Sequence, residues 1–164
     1  ANVGPKVSYV PGEEDFIPTN LKFGGGFDFI LDAYNIVSIN TEFTKLLVPS
    51  PQEDGSDQEK GFISGIFSSF GDAEGGFSEE LEEVTYALGA EYLYNDAFAL
   101  RLGYFHESEN KGNRKFFTMG AGFKTNALNV DLSYLINSSD VNNPLENSLR
   151  FSLSFDLGEL YYDY

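Results

Sequence analysis

The chain has 164 residues, 41% hydrophobic and 16% aromatic, enough apolar material to fold one domain and too much for a disordered segment. Its 26 Asp and Glu against 10 Lys and Arg give a formal net charge of -16, which excludes nucleic acid as a partner and electrostatic docking on anionic lipid. With no Cys and a single histidine, His106, a disulfide framework, a thiolate zinc site, a Cys nucleophile and a multi-histidine metal centre are excluded too, so no enzyme activity, metal or cofactor is expected.

No apolar run approaches the roughly 18 to 20 residues of a membrane-spanning helix. No positively charged apolar leader opens at Ala1, so the chain reads as a mature chain or a fragment. The dominant signal is period two. A short strand is expected within Val3 to Val10, where Val7 and Tyr9 alternate with Lys6 and Ser8. Next, Leu21, Phe23, Phe27, Phe29 and Leu31 alternate with Lys22, Gly24, Gly26 and Asp28, and Val37, Ile39 and Phe43 with Ser38, Asn40 and Glu42. The beat returns from Val84 to Tyr94, with Gly89 and Glu91 among the alternates, and from Phe98 to Tyr104, with Arg101 and Gly103. It returns again in Phe117 to Lys124 around Gly120 and Gly122, in Leu128 to Ile136 around Asp131, and in Leu149 to Leu157 around Arg150 and Asp156. That is about eight strands of an all-β protein.

Connection lengths alternate. Short turns are expected at 32–35, 94–97 and 125–128, and long polar loops at 11–20, 49–83, 107–114 and 137–147. Short links on one side and long ones on the other are the pattern of a transmembrane antiparallel β-barrel, with the last strand running toward the periplasm. The polar strand faces carry Lys6, Lys22, Arg101, Lys124 and Arg150 against Asp28, Glu42, Glu91, Asp131 and Asp156, which predicts a nearly neutral lumen laced by ion pairs. A soluble sandwich is the competing reading. Against it, glycines cluster on the polar face, where a crowded lumen has use for them. Aromatics also fall at both ends of the apolar band: Tyr9, Phe23, Phe43, Tyr86, Tyr104, Phe117 and Tyr134 toward the long loops, and Phe29, Tyr94, Phe98, Phe123 and Phe155 toward the short turns.

Several segments in fixed order carry a family resemblance: Val3-Gly4-Pro5-Lys6-Val7-Ser8-Tyr9, Asp15-Phe16-Ile17-Pro18-Thr19-Asn20-Leu21, Lys45-Leu46-Leu47-Val48-Pro49, 61–70, Gly89-Ala90-Glu91-Tyr92, and Leu102-Gly103-Tyr104-Phe105 with Asn110-Lys111-Gly112-Asn113-Arg114. Together they resemble the C-terminal part of the PorV family, FadL-like outer-membrane proteins of the Bacteroidetes type IX secretion system. The resemblance implies a fragment of a 14-stranded barrel, residues 1–164 forming one outer-membrane barrel domain. It also implies a multi-pass outer-membrane location. The implied role is a shuttle that receives secreted proteins by their C-terminal signal domain from an SprA-like translocon barrel and passes them to a PorU-like attachment complex. A FadL-like transporter of hydrophobic small molecules is the alternative, disfavoured by the charged inward positions. The tail Gly158-Glu159-Leu160-Tyr161-Tyr162-Asp163-Tyr164 departs from the family, whose barrels end near the aromatic of the last strand, here Phe155.

Within the long extracellular loop at 49–83, Ile63, Ile66, Phe67 and Phe70 fall at i, i+3, i+4 and i+7, one stripe of a helix, with Phe62 beside them. The stripe reads either as a lid on the barrel's own mouth or as an apolar contact for translocon or cargo. Ser78 followed by Glu79 and Glu80 resembles the start of a second short helix. The acidic flank Glu79, Glu80, Glu82 and Glu83 could steer a basic partner surface. Glu53, Asp54, Asp57 and Glu59 do not match the calcium-loop ligand pattern and read as a solvated acidic loop. His106 has no carboxylate or second histidine at catalytic spacing, and Asp131 with Ser133 has no base placed beside it.

Overall fold

The computed structural model describes residues 2–10, 13–50, 56, 60–73, 75–141 and 146–156. Among these residues nine strands account for most of the backbone: β1 (Val7–Val10), β2 (Glu13–Asp15), β3 (Asn20–Ile30), β4 (Asn35–Leu46), β5 (Val84–Tyr94), β6 (Phe98–His106), β7 (Lys115–Lys124), β8 (Leu128–Asn137) and β9 (Leu149–Phe155). The expected strands are all present, and Val84–Tyr94 has the predicted limits. The short helices α1 (Phe62–Ser68) and α2 (Phe77–Glu82) lie in the loop between β4 and β5, and a 3-10 turn, Glu109–Lys111, lies between β6 and β7.

Strands β3 to β9 form one antiparallel seven-stranded sheet in sequence order, and β1 pairs with β2 in a two-stranded sheet. The first strand of the sequence reading is therefore not a strand of that sheet. The all-β barrel architecture takes the form of an open sheet. Seven strands alternating in direction leave β3 and β9 running the same way, so pairing them with each other would give a parallel seam, unlike every other seam in the sheet.

The short links are set by local chemistry. After β3, the Asp32 carboxylate accepts the backbone N–H of Tyr34 at 2.8 Å and of Asn35 at 2.9 Å, an Asx-type turn. Between β5 and β6, Asn95 and Asp96 both sit at φ 53°, and Ala97 N–H donates to the Tyr94 carbonyl at 3.1 Å. Two successive positive φ values are what a two-residue hairpin link needs to match strand twist, and Asn and Asp tolerate them. After β7, the Thr125 hydroxyl accepts Leu128 N–H at 3.0 Å. The long connections follow β4, β6 and β8, as the sequence predicted.

The backbone divides into two compact units. Residues 24–42, 86–106 and 113–164 hold most of the sheet. Direct cross-strand partners there form whole apolar rows: Tyr94, Phe98, Phe123, Val130 and Leu153 in one; Tyr92, Leu100, Ala121, Leu132 and Phe151 in the next; Ala90, Leu102, Met119, Tyr134 and Leu149 in a third. These rows are not covered. Leu102 is 65% exposed and Phe151 67%, and among the described residues the buried hydrophobics are Ala73 and Ala99 alone. A soluble sandwich would bury this face as its core. The residues 1–23, 43–85 and 107–112 form the other unit, which contains β1, β2, both helices and the 3-10 turn.

Candidate functional site

In the helical unit, α1 buries its small side and exposes its large one. Gly65 is buried against Phe16 and Pro49, so tightly that a Cβ there would lie 2.7 Å from Phe16 Cε1 and 3.2 Å from Pro49 Cγ. Ser69, one turn on, is fully buried and donates to the Ile66 carbonyl at 2.8 Å. Lys6 Nζ covers the Phe16 ring at 4.3 Å, which places Lys6 in this packing and not in the sheet's charge array, where the sequence reading had put it. The opposite side of α1 carries Ile63, 66% exposed, and Phe67, 74% exposed, while Phe62 and Ile66 are half-buried. Phe70 lies beyond the helix end, 51% exposed, with Lys45 Nζ 6.0 Å from its ring centre. The predicted stripe thus splits: Ile63, Phe67 and Phe70 face outward and Ile66 does not.

The second helix repeats the arrangement. Phe77, 79% exposed, and Leu81, 57% exposed, stand four residues apart on α2. This pair was not singled out from the sequence, although its i, i+4 spacing was readable. The helix begins after Gly76 at φ 72°, not at Ser78, and Glu79 and Glu80 occupy its first turn. The positive φ explains glycine at the cap.

The acids of α2 are engaged inside the unit. Lys45 Nζ lies 2.8 Å from both Glu80 and Glu83, and Lys111 Nζ 2.7 Å from Glu79 and 3.1 Å from Glu83. Ser50 Oγ donates to Glu83 at 2.9 Å, Asn110 Nδ2 to Glu82 at 2.8 Å, and Ala73 N–H to Glu80 at 3.0 Å. Hydrogen bonding from Lys111 and the Gly75 N–H holds the Glu79 carboxyl below the usual range. Burial pushes Glu83 upward, but hydrogen bonds from Lys45, Lys111 and Ser50 outweigh it and leave this carboxyl lowered. Lys111 is correspondingly raised by its bond to Glu79. The flank read from sequence as a steering surface is consumed by these pairs, and it fixes α2 to the β6–β7 connection.

In the sheet unit, the predicted charge array resolves into one triad. Arg101 on β6 bonds Glu91, directly opposite on β5, at 2.5 Å through Nε, and Asp131 on β8 at 2.6 Å through Nη1. It reaches β8 across β7 because Gly120 and Gly122 offer no side chain in the way. A Cβ at Gly122 would lie 2.7 Å from Asp131 Oδ1 and 2.9 Å from Arg101 Nη1. The other predicted members are not joined to the triad. Lys22, Asp28, Glu42, Lys124, Arg150 and Asp156 are exposed on β3, β4, β7 and β9 or just after β9. Lys22, Glu42 and Asp156 take part in interactions of their own, whereas Asp28, Lys124 and Arg150 form no ion pair among the described residues. The polar face also carries an apolar cluster that alternation did not predict, with Phe105 and Phe116 stacked at 4.8 Å between centroids.

His106 stacks on Tyr86 at 4.7 Å with its Nδ1 3.3 Å from the Tyr104 hydroxyl, a hydrogen-bonded aromatic setting. Among the described residues no group of three or more His, Cys, Asp or Glu side chains could hold a metal ion. Glu53, Asp54, Asp57 and Glu59, together with Leu157 and the tail 158–164, lie outside the described residues. No helix among the described residues is long and apolar enough to cross a membrane, which says nothing of a β-barrel.

Residues 1–53, about a third of the chain, match the family model of the type IX secretion system protein PorV. The match agrees with the resemblance read from the sequence. The matched segment runs through β1 to β4 and includes three of the stretches that carry the resemblance in the sequence. The PorV family is one of secretion-system components and not of enzymes. No curated protein matches the chain.

Proposed function

We propose that the chain is the membrane-embedded part of a type IX secretion shuttle in the outer membrane, its apolar sheet face in lipid and its α1–α2 loop element engaging protein partners. The single observation that carries the reading beyond the family is the orientation of α1. A helix that packs through Gly65 and Ser69 while leaving Ile63 and Phe67 outside loses the burial its large residues would give, on the order of 2 kcal/mol each, unless a partner covers them. Phe77 and Leu81 on α2 extend the same logic.

The partners that fit this role are an SprA-like translocon barrel, the C-terminal signal domain of secreted cargo, and a PorU-like attachment complex. The sheet supports the membrane reading: its apolar rows run unbroken across five strands, with Tyr94, Phe98 and Phe123 in one row near the short turns and Tyr104 on Phe117 at 4.7 Å near the long connections. Aromatic belts at two levels of one face suit two membrane interfaces. Affinity capture on the tagged chain in its native membrane tests the proposal. Recovery of a translocon barrel and secreted cargo is the expected result, and recovery of lipid without either protein overturns it.

A further inference from the structure

We propose that the polar face of the sheet holds a binding site for an organic oxyanion, a carboxylate or phosphate on an apolar body, centred on Arg150. A hollow of 290 Å³ on β7, β8 and β9 is lined by Phe116, Thr118, Ser133, Leu135, Ser148 and Arg150. Its donors are uncommitted: the Arg150 guanidinium and the hydroxyls of Thr118, Ser133 and Ser148 make no side-chain hydrogen bond among the described residues. Arg101, by contrast, is already bonded by two carboxylates, which compete with any anionic ligand.

Three features define the ligand class. A guanidinium with nearby hydroxyls presents several N–H and O–H donors and no competing carboxylate, the donor set that suits a planar carboxylate or a phosphate. The floor is apolar: Leu135 lies directly opposite Thr118 in the register, and Phe116 is stiffened by its stack on Phe105. The volume is at the low end for small-molecule sites, which fits a headgroup with one ring or a few methylenes and no long chain. The site is independent of which protein covers the helices.

The test uses the full chain in nanodiscs of zwitterionic lipid and four probes: 4-phenylbutyrate, phenyl phosphate, the neutral 4-phenylbutanol and inorganic phosphate. One or both aromatic oxyanions bind at least about tenfold more tightly than the alcohol and than inorganic phosphate, and which of them binds assigns the headgroup. Arg150→Met weakens that binding at least about tenfold and leaves the alcohol unchanged, while Arg150→Lys restores part of it. Should Arg150→Met not assemble, Thr118→Val with Ser133→Ala is expected to weaken oxyanion binding severalfold. The proposal is overturned if neither aromatic oxyanion binds more tightly than the alcohol, if neither binds more tightly than inorganic phosphate, or if oxyanion binding survives Arg150→Met in an assembled chain.

Discussion

Replacing Ile63 and Phe67 together with serine should separate the proposed partner binding from folding. Both side chains are mostly exposed, at 66% and 74%, so their loss costs the isolated chain little, within about 0.5 kcal/mol. In a complex the pair would lose the burial it gains there. Full burial of such a side chain contributes about 1.5–3 kcal/mol, and these two are already covered by a quarter to a third, which leaves about 1–2 kcal/mol each. The pair then accounts for about 2–4 kcal/mol, or a weakening of Kd by about 30- to 1000-fold. Ile66→Asp is the contrasting control, because this half-buried residue should disturb α1 itself. The assay is capture of translocon and cargo by the tagged variant over a range of concentrations, with sheet assembly followed by the heat-dependent shift in gel mobility. Undiminished capture by an assembled Ile63→Ser, Phe67→Ser chain would refute the assignment of α1 to partner binding.

Gly65→Ala should destabilise the helical unit despite alanine's higher helix propensity: the gain of about 1 kcal/mol is opposed by a Cβ 2.7 Å from the Phe16 ring, where overpacking costs about 1–3 kcal/mol; protection of α1 in hydrogen exchange would fall, and unchanged protection would contradict the packing. Gly122→Ala should break the Arg101–Asp131 bond, and a double-mutant cycle with Arg101→Met should then show coupling, whereas strict additivity would mean the triad tolerates the methyl group. Lowered Glu79 and Glu83 carboxyls stabilise the loop above the usual glutamate range and lose that contribution as pH falls through their depressed values, while raised Lys111 contributes until pH rises beyond the usual lysine range. Limited proteolysis of 60–83 should therefore accelerate in acid and in the Lys111→Met variant, and a flat profile would show that the pairs do not hold α2.

The strands were legible because each carries its own signal. In β9, Leu149, Phe151, Leu153 and Phe155 alternate with Arg150, Ser152 and Ser154, and no distant contact is needed to read that. The triad was half legible: Glu91, Arg101 and Asp131 were on the expected face, but the register that puts Arg101 opposite Glu91 and beside two glycines was not. The role of the α2 acids was hidden, because Lys45 reaches Glu80 from 35 positions away and Lys111 reaches Glu83 from 28. β2 was read as loop because Glu13, Glu14 and Asp15 are poor strand formers held only by pairing with β1. Phe105 and Phe116 broke the alternation rule by standing on the polar face, where a stacked pair satisfies both rings.

Whether the apolar face of the sheet meets lipid and the polar face does not is directly measurable, because the chain has no cysteine. Single cysteines introduced by Ser152→Cys and Leu153→Cys, on neighbouring residues of β9, can each carry a nitroxide in vesicles. The label at 153 should collide preferentially with lipid-dissolved oxygen and the label at 152 with a water-soluble nickel chelate. Equal exposure of both labels to the chelate, or the reverse preference, would contradict it.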